Sequence, residues 1–252
     1  MRKLQDTKPV LHALIWIGIY IAAVNVGDIV GGAMGFPELT GLVLIGLSIV
    51  LVIYLRVAGR LAFYGLRRVQ PGTLSLTLFY IPLFATVLVP FAQGFAPGLT
   101  LRTVIFAVVL MAGVGFVEEV LFRGFLLQAL RVSEPLTRAI LISGVTFGLG
   151  HILNLFRGYS IVDQILQIIA AVIVGIALSY CAVLTGSIVP GIVFHALFNI
   201  SSTLTNSSAM ADAVGVGVTS LVLVVYIFVL QKRLTEVGPA GIDSLDPQGH
   251  RR

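Results

Sequence analysis

The sequence predicts an all-α fold: a polytopic membrane helix bundle with about eight transmembrane helices. Two observations lead there. Hydrophobic residues make up 58% of the 252 positions and charged residues only 11%, with a mean hydropathy of +1.04. A soluble domain carries roughly 25% charged residues. The apolar residues also come in runs close to the roughly 20 that a spanning helix needs.

Taken in order, the candidate spans are 10–31, 42–57, 74–91, 103–130, 139–155, 161–184, 188–204 and 213–230. The first run is too long for a removable signal peptide, and no small-x-small cleavage site follows it. The second is short and its ends are loosely defined. Between spans two and three, GRLAFYGLRRVQPG mixes Arg60, Arg67 and Arg68 with Leu61, Phe63, Tyr64 and Leu66. That pattern fits an amphipathic segment lying on anionic lipid, or an ordinary basic loop. After Glu236 the chain is polar and rich in Gly and Pro, so 237–252 is expected to be a disordered tail and 1–236 the membrane domain.

The single cysteine, Cys181, excludes a disulfide within the chain and any multi-cysteine metal site. The net charge of +5 does not point to nucleic acid, because the basic residues flank apolar spans; the expected partner is membrane lipid. With eight spans and the N-terminus inside, thirteen basic residues fall on the cytoplasmic side: Arg2, Lys3, Lys8, Arg56, Arg60, Arg67, Arg68, Arg131, Arg138, Lys232, Arg233, Arg251 and Arg252. Only Arg102 and Arg157 fall outside, and Arg123 lies within a span. Both termini are therefore expected in the cytoplasm, with the chain in the plasma membrane of a prokaryote.

Span four breaks the apolar pattern with GFVEEVLFRG. A charge at the bilayer centre costs about 2.5–3.5 kcal/mol on insertion scales, so Glu118, Glu119 and Arg123 must be paired or face a wet cavity. Glu119 and Arg123 are four apart and share a helix face. Glu118 is turned by about 100° from Glu119, which leaves it without the arginine and open to act on a water as general base. A buried packing network is the bland alternative.

Two more spans carry polar groups. In AILISGVTFGLGHILNL, Gly144, Gly148 and His151 share one face, and GxxxG is a close-packing seam between membrane helices. In IVPGIVFHALFNISS, Gly191, His195, Asn199 and Ser202 form a polar stripe. A lone histidine on such a face is more often a helix-to-helix hydrogen bond. However, at 1.5 Å per residue, Glu118, His151, His195 and Asn199 all lie roughly 12–20 Å from the proposed cytoplasmic boundary. One buried site requires such a shared level.

A carboxylate, two imidazoles and a carboxamide make a hydrolytic set. A carboxylate and a histidine can hold and deprotonate a water, and a histidine and an asparagine can donate to a developing oxyanion. Ser143 is a weak candidate nucleophile, and Cys181 is remote in sequence. Glu118, His151 and His195 could alternatively bind zinc and leave a position open, although HExxH is absent.

These residues carry a resemblance. EEVLFR fits EExxxR, FGLGH fits FxxxH and HALFN fits HxxxN. In that order on separate membrane helices, over 114–202, they resemble the CPBP intramembrane proteases. That family includes the CAAX prenyl endopeptidases of type II and the bacterial bacteriocin-processing or immunity (Abi-like) proteins. The resemblance implies an intramembrane endopeptidase acting on peptide, prenylated or membrane-anchored protein substrates. In it Glu118 would activate the water with His151, Glu119 would support the site held by Arg123, His195 and Asn199 would form the oxyanion hole, and Phe147 would pack. It implies a glutamate-type enzyme without cofactor, with Zn2+ as the alternative. Two other classes stand against it: a proton- or ion-coupled transporter, since intramembrane Glu, Arg and His also mark ion paths, and a non-catalytic immunity or scaffold protein with the same fold. A transporter often shows repeated halves, whereas here the polar residues fall in spans four, five and seven.

Overall fold

The computed structural model describes residues 1–69, 78–157 and 160–244. A short helix α1 (Arg2–Thr7) leads into α2 (Pro9–Ala33), which Pro9 starts without losing a needed N–H. Helix α3 (Leu39–Val57) returns antiparallel to it. After 58–69, the third apolar run forms a broken element, Leu78–Gln93, whose central turn and a half is α4 (Ile81–Thr86). Helix α5 spans Leu101–Leu130, α6 covers Leu136–Gly150, α7 Ile161–Thr185, α8 Val189–Leu204 and α9 Ala209–Ser244. Among the described residues there is no strand, only an isolated antiparallel bridge between Phe95 and Thr205.

Six of these helices are long and apolar enough to cross a membrane. The expected seventh span is shorter, and the third is short as far as it is described, 74–77 lying outside the described residues. Pro82 and Pro90 break the third into 3-10 and α turns, and Gly94 at φ 75° ends it. Helix α8 has 16 residues, or roughly 24 Å at 1.5 Å each, less than the hydrocarbon core. The expected tail falls partly on 245–252, outside the described residues. Before it, Gly238 breaks α9 with φ 67° and ψ 169°.

Glycines set the close packing. A Cβ at Gly144 would stand 2.7 Å from the Ile176 backbone nitrogen, and one at Gly148 2.7 Å from that of Val172. The GxxxG pair is thus the seam between α6 and α7, as its spacing predicts. Gly115 does the same for α5 against α8, where a Cβ would stand 2.9 Å from the Ala196 nitrogen.

The segment after α3 forms successive turns rather than an amphipathic helix, as far as it is described; 70–72 lie outside the described residues. Its Tyr64 is buried, and Leu61, Phe63 and Leu66 pack against the core. Arg67 donates to the Gly186 carbonyl at 2.6 Å and the Ile188 N–H to the Gly65 carbonyl at 2.9 Å. The α7–α8 turn therefore lies on the same face of the bundle as α1 and 58–69, and Arg60 pairs with Asp6 there. On the opposite face Arg102 pairs with Glu38, and Gln93 donates to Asp212.

Candidate active site

The site begins with an irregularity in α5. From Val120 to Leu126 the helix widens into a π-helical stretch, and all seven of its residues are buried. Such bulges are frequent at functional sites. Gly124 sits within it, where a Cβ would come 3.3 Å from the Tyr64 carbonyl oxygen. Glu118 and Glu119 close the α-helical part just before the bulge, and Arg123 lies inside it.

The predicted pair forms. Arg123 Nη1 is 2.9 Å from Glu119 Oε1, with both side chains essentially sealed at 0% and 1% exposure. The guanidinium also lies over the Phe147 ring, 4.2 Å from its centroid, a favourable cation–π placement. Its partners are thus one carboxylate and one aromatic face, and none of its three nitrogens makes a hydrogen bond among the described residues. Gly191 on α8 leaves room for Glu119, since a Cβ there would stand 3.3 Å from Glu119 Oε2.

His195 joins the two glutamates. Its Nδ1 is 3.1 Å from Glu119 Oε1, and its Nε2 is 3.4 Å from Glu118 Oε2. A second group reaches Glu118 from far along the chain: the Tyr20 hydroxyl donates to Glu118 Oε1 at 2.6 Å. Glu118 is without the arginine, as its spacing implies, but it is not without partners. Helical spacing separates it from Arg123, but a tyrosine on α2 and a histidine on α8 supply what the helix itself does not. Glu118 Oε2 makes no hydrogen bond among the described residues, and Glu118 lines a cavity. It is a buried acceptor with capacity left over.

His151 ends α6 and opens a 3-10 turn. Its Nδ1 lies 3.3 Å from the Phe147 carbonyl. A carbonyl only accepts, so Nδ1 carries a proton, and in the neutral ring Nε2 is an acceptor. His151 and Glu118 make no hydrogen bond to each other; they line one cavity of about 570 Å³. His195 lines a second, of about 530 Å³. Phe147, His151, Gln167, Asn199 and Ser202 line both. The imidazole of His151 and the carboxamide of Asn199 thus stand at the partition, with Glu118 on one side and His195 on the other. Phe147 meets His151 and His195 edge-on at 5.3 and 5.5 Å.

All six residues singled out from the sequence therefore line, or pair beside, these two cavities. Tyr20 was missed; a tyrosine in an apolar run gives no signal by spacing. The weaker nucleophile candidates are engaged elsewhere. Ser143 donates to the Phe122 carbonyl at 2.9 Å and is fully buried. Cys181 is buried beside Phe79. The zinc alternative fits poorly. Among the described residues no three His, Cys, Asp or Glu side chains converge as a metal-ligand group, and both nitrogens of His195 are directed at carboxylates.

Residues 100–201 match the family model described as Type II CAAX prenyl endopeptidase Rce1-like. The match spans all three motifs, so the likeness read from EEVLFR, FGLGH and HALFN holds: at the level of family, this segment resembles the CAAX-type membrane endopeptidases. Neither a curated protein nor a solved structure matches the chain.

Proposed function

We propose that the chain is an intramembrane endopeptidase in which Glu118 and His151 activate a water and His195 and Asn199 receive the oxyanion. The carrying observation is the Glu118 carboxylate, a largely buried acid that lines a cavity together with His151 and Asn199. A water held between the Glu118 carboxylate and His151 across their shared cavity would meet a base on each side. Its oxygen bonds to the scissile carbonyl carbon while one proton passes to Glu118. The carbonyl oxygen takes the negative charge. The C–N bond then breaks, and the leaving amine takes the proton from Glu118.

His195 can donate to the oxyanion only through Nε2, because Nδ1 faces Glu119. Glu119 and Arg123 hold His195 rather than touch substrate, and Tyr20 holds Glu118. The carboxamide of Asn199, one turn beyond His195 on α8, supplies the second donor. An extended substrate lying across the partition would place its two halves in the two cavities. Its class is a peptide or a membrane-anchored or lipid-modified protein, and the enzyme needs no cofactor.

The distribution of Lys and Arg supports a cytoplasmic location for both termini. The test compares membranes carrying the wild-type chain with membranes carrying Glu118→Gln or His151→Ala at equal inserted amounts. New N-termini should be found with the wild type and be absent with either variant. Wild-type cleavage by one variant removes that residue from the chemistry.

A further inference from the structure

Both cavities open at one end of the bundle. The 570 Å³ cavity reaches Asn25 and Asp28 at the end of α2, Thr40 at the start of α3 and Asn154 after α6. The 530 Å³ cavity reaches Asp163 at the start of α7, and Ser207 and Asp212 around the α8–α9 connection. Asp28, Asp163 and Ser207 are exposed. These positions fall on the face where Arg102 pairs with Glu38. Towards the other face the bundle is closed: Val120 to Leu126 is buried throughout, with Leu127, Leu130 and Phe194 beyond.

The closed face is the basic one. It bears Arg2, Lys3, Lys8, Arg56, Arg60, Arg67, Arg68, Arg131, Arg138, Lys232 and Arg233, whereas chain order puts only Arg102 and Arg157 at the open end. Lys and Arg near span ends mark the cytoplasmic side. We infer that the site is served from the non-cytoplasmic side, so that its substrate is a segment of an exported or outer-leaflet-anchored polypeptide rather than a cytoplasmic C-terminus. The lining agrees in chemistry. Asn25, Asp28, Asn154, Gln167, Ser202 and Asp212 make the lining polar, which suits an extended peptide backbone better than an isoprenoid chain.

The inference rests on the proposed endopeptidase for the word substrate, but its test needs no cleavage. In a Cys181→Ser background, single cysteines replace Ser207 at the open end, Ser202 inside the cavities and Ser133 between α5 and α6. Intact cells are treated with a membrane-impermeant maleimide. Ser207→Cys and Ser202→Cys should label in intact cells, and Ser133→Cys only after permeabilisation. The reverse pattern would place the opening in the cytoplasm and overturn the inference. Labelling of Ser207→Cys without Ser202→Cys would overturn it too, because the cavities would then be closed at that end. A chain that labels as expected but shows no Glu118-dependent cleavage would fail as a protease while its topology stood.

Discussion

Replacing Arg123 by methionine separates a charge role from a packing role, because the two side chains have similar length. Arg123 is fully buried, 2.9 Å from Glu119 Oε1 and stacked on Phe147. Without it, Glu119 keeps His195 Nδ1 at 3.1 Å as its remaining partner. Breaking a buried pair costs about 3–5 kcal/mol, and the surviving histidine bond sets the expectation at the low end, about 3 kcal/mol. For a chain of this size that corresponds to a fall in melting temperature of roughly 6–12 °C. Glu119→Gln leaves Arg123 with only the Phe147 face, so its loss should lie nearer the upper end. The double variant, Glu119→Gln with Arg123→Met, leaves no unmatched charge from this pair, and the glutamine oxygen can still accept from His195 Nδ1. It should therefore regain much of the loss, with a coupling of about 1–3 kcal/mol. The assay is thermal unfolding in detergent, followed by fluorescence of Trp16, the only tryptophan in the chain. If the two single losses simply add, the side chains do not interact, and Glu118 loses its distinction from Glu119 as the base.

Three further outcomes are expected. His195→Ala and Asn199→Ala should each lower kcat by roughly 10²–10³ on a cleavable peptide, as removal of an oxyanion donor does; a change confined to KM would make them substrate-binding groups instead. Tyr20→Phe deletes a hydrogen bond to a charged acceptor, worth about 1.5–3 kcal/mol, so the melting temperature should fall by roughly 3–12 °C and kcat should fall with KM little changed; an unaltered kcat would leave the tyrosine a packing residue. Strong chelation followed by metal analysis should leave both activity and melting temperature unchanged; one tightly held zinc per chain, with activity lost on its removal, would move Glu118, His151 and His195 into a ligand shell that rearranges from the present geometry.

Much of the fold was legible because lipid imposes a length. Apolar runs marked most helices to within a few residues, and the 144/148 glycine pair marked the α6–α7 seam. The two short elements were less legible. Pro82 and Pro90 sit in an apolar stretch of ordinary hydropathy, and hydropathy alone does not register that a proline interrupts the ladder. The π-helical stretch was not legible at all. VLFRGFL has no residue type that demands a wider turn, so its cause is tertiary: α5 must present Glu118 to a cavity and Glu119 to His195 while Gly124 admits the Tyr64 backbone.

The candidate site was legible for an energetic reason, and the same reason explains what was missed. A carboxylate, guanidinium or imidazole in an apolar run is costly enough to need a cause, so Glu118, Glu119, Arg123, His151 and His195 stood out from a sequence with few charges. A phenol costs little there, because its ring is apolar and only its tip is polar. Tyr20 therefore looked like any other aromatic of span one, although its hydroxyl makes the shortest contact to Glu118. Pairings between helices were illegible for a related reason. Spacing along one helix placed Arg123 with Glu119, and that pair is present. It set His195 beside Asn199 on α8, yet the ring nitrogens of His195 turn to the two glutamates of α5. Spacing shows which residues share a face, but not which face they meet. Tertiary packing chooses the partner: Gly191 lets α8 approach Glu119 closely, and His195, one turn further along α8, then lies 3.1 Å from Glu119 and 3.4 Å from Glu118.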